Sequence, residues 1–344
     1  MKRQLTRLVV VAMVAALAAC GSSDGDSSGS GGDAELGTGT IGVLQSTAQS
    51  EVIQRWSTTA TDSLEAIGWK ADVADGKGDP AAMAAAMQGF IAKKVDGIVV
   101  IAIDAPAITT QIQDAKSAGI PVISAPLSTS GAGADLFDAR YAPDDEEFGR
   151  VLADYLKDKL DSGAEYGVLD ITAVTGAHGA VEGAEPALDA AGFKNVATVD
   201  LNPADIVKEA QNGAVNLLQG NPDMKLLLSC CDFTPAITQA AIGADHPDVI
   251  QAARYDNPSS LDIIRQGGNL VLATANADTA VLIALDQILA HKVNGADIDP
   301  DAANDAFDFS IVDKDNVPES GYVNDPKPQI DEYVKKWKSE YQAG

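Results

Sequence analysis

Cysteine, histidine and aromatic side chains are scarce in this 344-residue chain: three Cys, three His, three Trp, seven Tyr and seven Phe. The first two shortages exclude a zinc site, because Cys230 and Cys231 have no second pair and His178, His246 and His291 show no ligand spacing. Basic residues are few as well, 24 against 50 acidic ones, giving a formal charge of −26. No basic cluster is dense enough to neutralise several phosphates, so nucleic acid is excluded and anionic lipid headgroups are repelled. Enzyme chemistry finds no footing, since no serine or cysteine has a recognisable base and orienter. No metal or other cofactor is expected.

Three motif matches lack the context that would give them meaning. Gly21-Ser22-Ser23-Asp24-Gly25 fits a nucleophile elbow but stands in a polar run without the strand-turn-helix that exposes a serine. The glycines of 37–42 fit G-x-G-x-x-G but precede a strand, so no helix N-terminus follows to hold a pyrophosphate. Asp297, Asp299 and Asp301 suggest calcium, yet Ala302 stands where the loop needs glycine.

At the N-terminus the basic Met1-Lys2-Arg3 leads to an apolar run, 8–17, too short to span a bilayer comfortably. The pattern Leu17-Ala18-Ala19-Cys20 that follows resembles the lipobox. A signal peptide over 1–19 is expected, with lipidation at Cys20 and a flexible Gly/Ser/Asp tether over 20–39. The charge becomes about −29 once Lys2, Arg3 and Arg7 leave with the leader.

Residues 94–126 hold strand, loop, helix, turn and second strand without interruption. The run 97–103 is continuously apolar and rich in β-branched residues, as a strand buried on both faces must be. Asp104 is placed to cap the helix carrying Ile108, Ile112 and Ala115, Gly119 ends it, and 120–123 begins another strand. The same alternation runs upstream, with strand 41–45, helix 50–66, strand 70–74 and helix 80–93. A second series has strand 166–171, helix from 180, strand 196–199, helix 204–218, strand 225–228, helix 235–243, strand 249–253 and helix 259–266. Strand 270–274, helix 277–292, a short segment 307–312 and an amphipathic helix 328–341 complete the chain. Alternation of this kind implies doubly wound parallel sheets in two similar α/β lobes.

The order of these elements, with Val95-Asp96-Gly97-Ile98, Ala118-Gly119-Ile120-Pro121-Val122, Asn221-Pro222-Asp223, Cys231-Asp232, Tyr255-Asp256 and Ala273-Thr274-Ala275-Asn276, resembles the type I periplasmic-binding-protein family. Within it the chain is most similar to the ribose-binding-protein-like sugar receptors of ABC importers, over about 40–312. The resemblance implies two Rossmann-like lobes joined by a three-crossover hinge near Tyr141, Asn276 and Phe309. One lobe would be 40–141 with 277–308, the other 142–276 with 309–344. Open parallel sheets bind ligands beyond the carboxyl ends of their strands, so the cleft between the lobes is where a solute belongs.

Candidate contacts follow from that placement. Asp256 stands where the resembling proteins carry an aspartate that accepts sugar hydroxyls, and Asn276 matches their amide at a crossover. Gln45, Ser46 and Thr47 follow the first strand at the cleft edge, as polar contacts or helix caps. Asp104 is at the same edge with capping as its expected job, and His178 is on the loop after the second lobe's first strand. Cys231 follows strand 225–228, paired with Cys230 as a vicinal disulfide or as two buried thiols. Asp232 is expected to be structural.

Departures from the resembling receptors are equally informative. Val52 and Ile53 stand where they carry aromatic rings, Ala125-Pro126 where they carry an aspartate-arginine pair, and Ala180 near their loop arginine. Trp56 is a candidate replacement ring. No arginine or lysine is expected at a strand end facing the cleft, which disfavours an anion. The expected function is a solute-binding lipoprotein of an ABC importer, monomeric, held outside the membrane and serving permease subunits. Its ligand would be small, neutral and polar, a sugar or polyol first. The rival reading is a membrane-tethered sensor of the same fold docking on a receptor kinase.

Overall fold

The computed structural model describes residues 37–126, 130–243 and 245–341. The expected leader, Cys20 and tether residues before 37 lie outside the described residues. β1 (Thr40–Gln45), β2 (Lys70–Asp75), β3 (Gly97–Ile101), β4 (Val122–Ser124) and β5 (Ala139–Arg140) form a parallel sheet in the order β2-β1-β3-β4-β5. Every residue of β3 is buried, because helices cover both faces. Ser50 caps α1 (Glu51–Glu65) by accepting from the Ile53 amide at 3.2 Å. Asp79 caps α2 (Pro80–Lys93), with Pro80 at a position where no amide is needed.

α3 (Thr109–Ser117) follows a short 3-10 turn, Ala105–Ala107, and Asp104 makes no side-chain cap to it, contrary to expectation. The strand ends sooner than the apolar run because Ala102 takes φ 55° and turns the chain away from the sheet.

β6 (Glu165–Asp170), β7 (Lys194–Asp200), β8 (Leu226–Ser229), β9 (Ile250–Arg254) and β10 (Leu270–Ala275) form the second sheet, order β11-β10-β9-β8-β6-β7. β11 (Phe309–Val312) joins it antiparallel to β10. Between these strands run α5 (Thr175–Ala190), α6 (Ile206–Gly220), α7 (Thr234–Ile242) and α8 (Pro258–Arg265). The architecture is α/β, two doubly wound lobes, as expected.

The chain returns to the first lobe in α9 (Asp278–Asn294), which packs on α1 and β3. Gly97 permits this approach, since a Cβ there would meet Ile288 at 2.5 Å. α10 (Lys327–Tyr341) lies on α1 and α9, its buried Trp337 donating to Asp286 on α9 at 2.9 Å. The expected boundary placed 309–344 in the second lobe. β11 is there, but the apolar face of α10 is covered by the first.

α4 (Asp145–Leu156) is not among the elements read from the sequence. Three acidic residues in its first turn suit the positive end of the helix dipole, but they and Gly149 dilute the apolar periodicity. Its partner is α5, which begins at Thr175, ahead of the expected Ala180. The two helices touch backbone to backbone: a Cβ at Gly149 would meet the Ala180 carbonyl at 2.1 Å, and one at Gly183 the Glu146 carbonyl at 1.9 Å. Gly183→Ala is therefore expected to destabilise the protein by about 1–3 kcal/mol, read from its denaturant midpoint. An unchanged midpoint would refute the close crossing.

Candidate functional site

The carboxyl ends of both sheets carry the polar residues, and the lobes meet there through side chains from α1. Ser50, the cap of α1, donates its hydroxyl to the Asp232 carboxylate of the second lobe at 3.2 Å. The next residue, Glu51, accepts from the Ser259 amide at 3.1 Å and from its hydroxyl at 2.7 Å. Arg55 reaches the Asp256 carbonyl at 2.9 Å and its carboxylate at 3.3 Å. Trp56 packs edge-on against Tyr255, ring centres 5.2 Å apart. In the turn after β3, Asp104 accepts from the Thr175 amide at 3.1 Å, so it caps α5 of the opposite lobe instead of the helix that follows it.

Charge in this region is buried and paired. Arg254, the last residue of β9, donates to the Cys230 carbonyl at 2.9 Å, forms an ion pair with Asp145, and lies 5.0 Å over the Tyr255 ring. Burial opposes its charge, but Tyr255 and Asp145 outweigh burial and raise its pKa. Arg254, and Arg140 at the end of β5, correct the expectation that no arginine ends a cleft-facing strand; Asp145 neutralises the first, and Asp104 and Asp145 lie within electrostatic reach of the second. Asp232 is pushed up to about 6 by burial, against the pull of Ser50 and Arg254. Cys230 and Cys231 are both buried free thiols, and burial followed by contact with Cys231 raises Cys230 well above the usual thiol range.

The expected contacts fall into two groups. Ser46, Thr47, Asp104, His178 and Cys231 lie at the strand ends and helix starts of the cleft. The Thr47 hydroxyl accepts from the Gln49 amide at 3.1 Å, a local turn. His178 is in the first turns of α5, not on a loop, and its Nδ1 lies 2.6 Å from Asp170. Gln45, Asp256 and Asn276 are already engaged by the scaffold. Gln45 accepts from Ser57 within its own lobe. Asn276 accepts from the Asp308 amide at 3.0 Å and donates to the Ala306 carbonyl at 3.2 Å, tying the crossover after β10 to the one before β11. Asp256 is fully buried and receives Thr274 at 2.9 Å and Arg55 on one oxygen, with the amides of Val323 at 2.8 Å and Asn324 at 3.1 Å on the other.

Ser50, Glu51, Arg55 and the Arg254–Asp145 pair were missed by the sequence reading. The only available signal was the cap position of Ser50 and the four-residue spacing of Glu51 and Arg55 on α1, which names no partner 180 or more residues away.

The sequence profile of the "Periplasmic binding protein domain" matches residues 41–295, spanning the first sheet and the second through α9. The chain belongs to that family. Among its relatives is the ribose import binding protein of Bacillus subtilis (strain 168), 24% identical over 232 residues, covering 66% of this chain and 72% of that one. Solved structures agree in fold. An ABC transporter periplasmic solute binding protein of Actinobacillus succinogenes 130z, with bound D-allose, has a TM-score of 0.70 at 21% identity, covering 80% of this chain and 98% of that one. An ABC transporter solute binding protein of Bacillus halodurans C-125, with bound myo-inositol, has a TM-score of 0.66 at 19% identity, covering 89% and 99%. This chain is thus a family member of the type I, ribose-binding-like kind. Among the described residues no helix is long and apolar enough to cross a membrane.

Proposed function

We propose that this family member is the solute-binding lipoprotein of an ABC importer, tethered through Cys20, which takes a small neutral polar solute into the cleft and hands it to permease subunits. The observation that carries the reading is the set of bonds joining the lobes: Ser50 to Asp232, Glu51 to Ser259, Arg55 to Asp256 and Asp104 to Thr175. All of them sit at strand ends or helix starts, so the cleft is entered when they part and shut when they re-form. A solute shifts that equilibrium by its differential affinity for the closed form. Sugars and polyols are the first class to test, in line with the D-allose, myo-inositol and ribose named for the similar proteins.

Neutrality follows from the pairing of the two buried arginines. Arg254 is held by Asp145, and Arg55 by Asp256 and Asp278. Ser46, Thr47, Asp104, His178 and Cys231 are the side chains we assign to the solute. The lobes would be 40–141 with 277–308, and 142–276 with the chain from 309 to the start of α10.

Native mass spectrometry of gently purified protein, with release and identification of the retained molecule, tests this. A neutral polyhydroxylated compound is expected, and it should raise the melting temperature in proportion to RT ln(1 + [L]/Kd), about 2.7 kcal/mol at a hundredfold excess over Kd. A retained phosphate or carboxylate compound would sink the neutral-solute reading.

A further inference from the structure

Asp256 lies two residues beyond the end of β9, at the carboxyl edge of its sheet, the position from which a cleft carboxylate could grip a solute hydroxyl. All of its capacity is taken. A carboxylate offers about four acceptor sites, and here each oxygen receives two donors. Three of these come from Asp256's own surroundings in the second lobe and the chain that follows it: the Thr274 hydroxyl and the Val323 and Asn324 amides. The fourth comes from the other lobe, from Arg55 on α1.

Arg55 is held in this place from every side. Its side chain is 4% exposed, its Nε lies 3.0 Å from Asp278 at the start of α9, and its guanidinium sits 4.7 Å over the Tyr322 ring. Nη1 bonds both the carbonyl and the carboxylate of Asp256. A planar fork between two carboxylates and an aromatic face is a preorganised arrangement that a lysine would not reproduce.

We infer that Arg55 is a specificity-determining residue: reaching across from α1, it occupies the one position on the Asp256 carboxylate that a solute could use. Recognition is thereby confined to the rest of the cleft, around Ser46, Thr47, Asp104, His178 and Cys231. Ring sugars that place hydroxyls on Asp256 are disfavoured, and solutes that leave Asp256 alone are accepted. The inference rests on the solute-receptor reading above.

Calorimetric titration of the full-length protein with D-ribose, D-allose and myo-inositol tests it. Arg55→Gln is expected to bind at least one of the three about tenfold or more tighter than wild type, the scale of one hydrogen bond to a charged group. Arg55→Lys keeps a positive charge beside Asp256 but not the planar fork, so it is expected to gain less than Arg55→Gln, about threefold or less over wild type, a split that general damage to the fold would not produce. Where Arg55→Gln fails to fold, Arg55→Met/Asp278→Asn removes one charge of each sign and gives the same reading. No gain for any probe in the folded variant overturns the inference, and so does an equal gain in Arg55→Lys. A solute retained by wild type with no gain in the variants sinks this inference alone. Nothing retained by wild type and no binding of any probe by wild type or variants sinks the receptor reading itself.

Discussion

An Arg254→Met variant is expected to lose about 3–5 kcal/mol of stability, the largest effect of any single substitution considered for this protein. Arg254 and Asp145 are a buried pair, side chains 11% and 8% exposed, and removing the cation takes from the carboxylate its close ion-pair partner between α4 and the second sheet. The same change takes away the donor to the Cys230 carbonyl and the cation over Tyr255. In thermal unfolding the loss should appear as a fall of roughly 5–15 °C. Arg254→Met/Asp145→Leu removes both charges and is expected to recover most of it, because a well-packed apolar pair is often as stable as the buried ion pair it replaces. A single variant within about 1 kcal/mol of wild type would mean that the pair is more hydrated than its burial implies.

The second large effect is a pH dependence centred on Asp232. Its carboxyl sits near 6 in the folded protein because it is buried, whereas an unfolded aspartate titrates near 4. The folded state therefore holds the proton more tightly. The resulting stability is fully present below about pH 4 and is lost as pH rises through about 6. Above that range the buried anion is a burden of up to about 3 kcal/mol, relieved only in part by Ser50 and Arg254.

Asp232→Asn keeps the shape and cannot ionise. It should match wild type near pH 4 and exceed it by roughly 2–3 kcal/mol at pH 8. Comparing the two proteins at each pH isolates this group from carboxylates such as Asp313, whose depressed pKa acts in the opposite sense. Equal stabilities at pH 8 would show that Asp232 is solvated. Because Ser50 bonds Asp232 from the other lobe, opening the cleft would rehydrate the carboxylate, so acid should favour the closed form as well.

Several elements were legible in the chain because their cause is local. β3 reads directly from a continuous β-branched run, α2 from Asp79 and Pro80 at its start, and the end of α3 from Gly119 at φ 74°. α4 was illegible for the opposite reason. Its helix is held by a glycine crossing with α5, and Gly149 and Gly183 look like helix breakers until the second helix is in place.

The site divides in the same way. Placing Asp104, His178, Cys231 and Asp256 near strand ends required only the alternation of strands and helices. Their partners could not be read. Asp104 has all the features of a cap for its own helix and caps α5 instead, while Asp256 has the features of a solute contact and is held by Arg55.

Fold class and the location of the cleft were thus set by hydrophobic periodicity and turn chemistry, which act over a few residues and leave their mark in any short window of sequence. Which carboxylates are free for a solute, which are locked by arginines, and which carry a raised pKa depended on contacts between residues 71 to 208 positions apart. Hydrogen bonds and desolvation depend on distance in space, and at such separations that distance exists only once both lobes have folded and met.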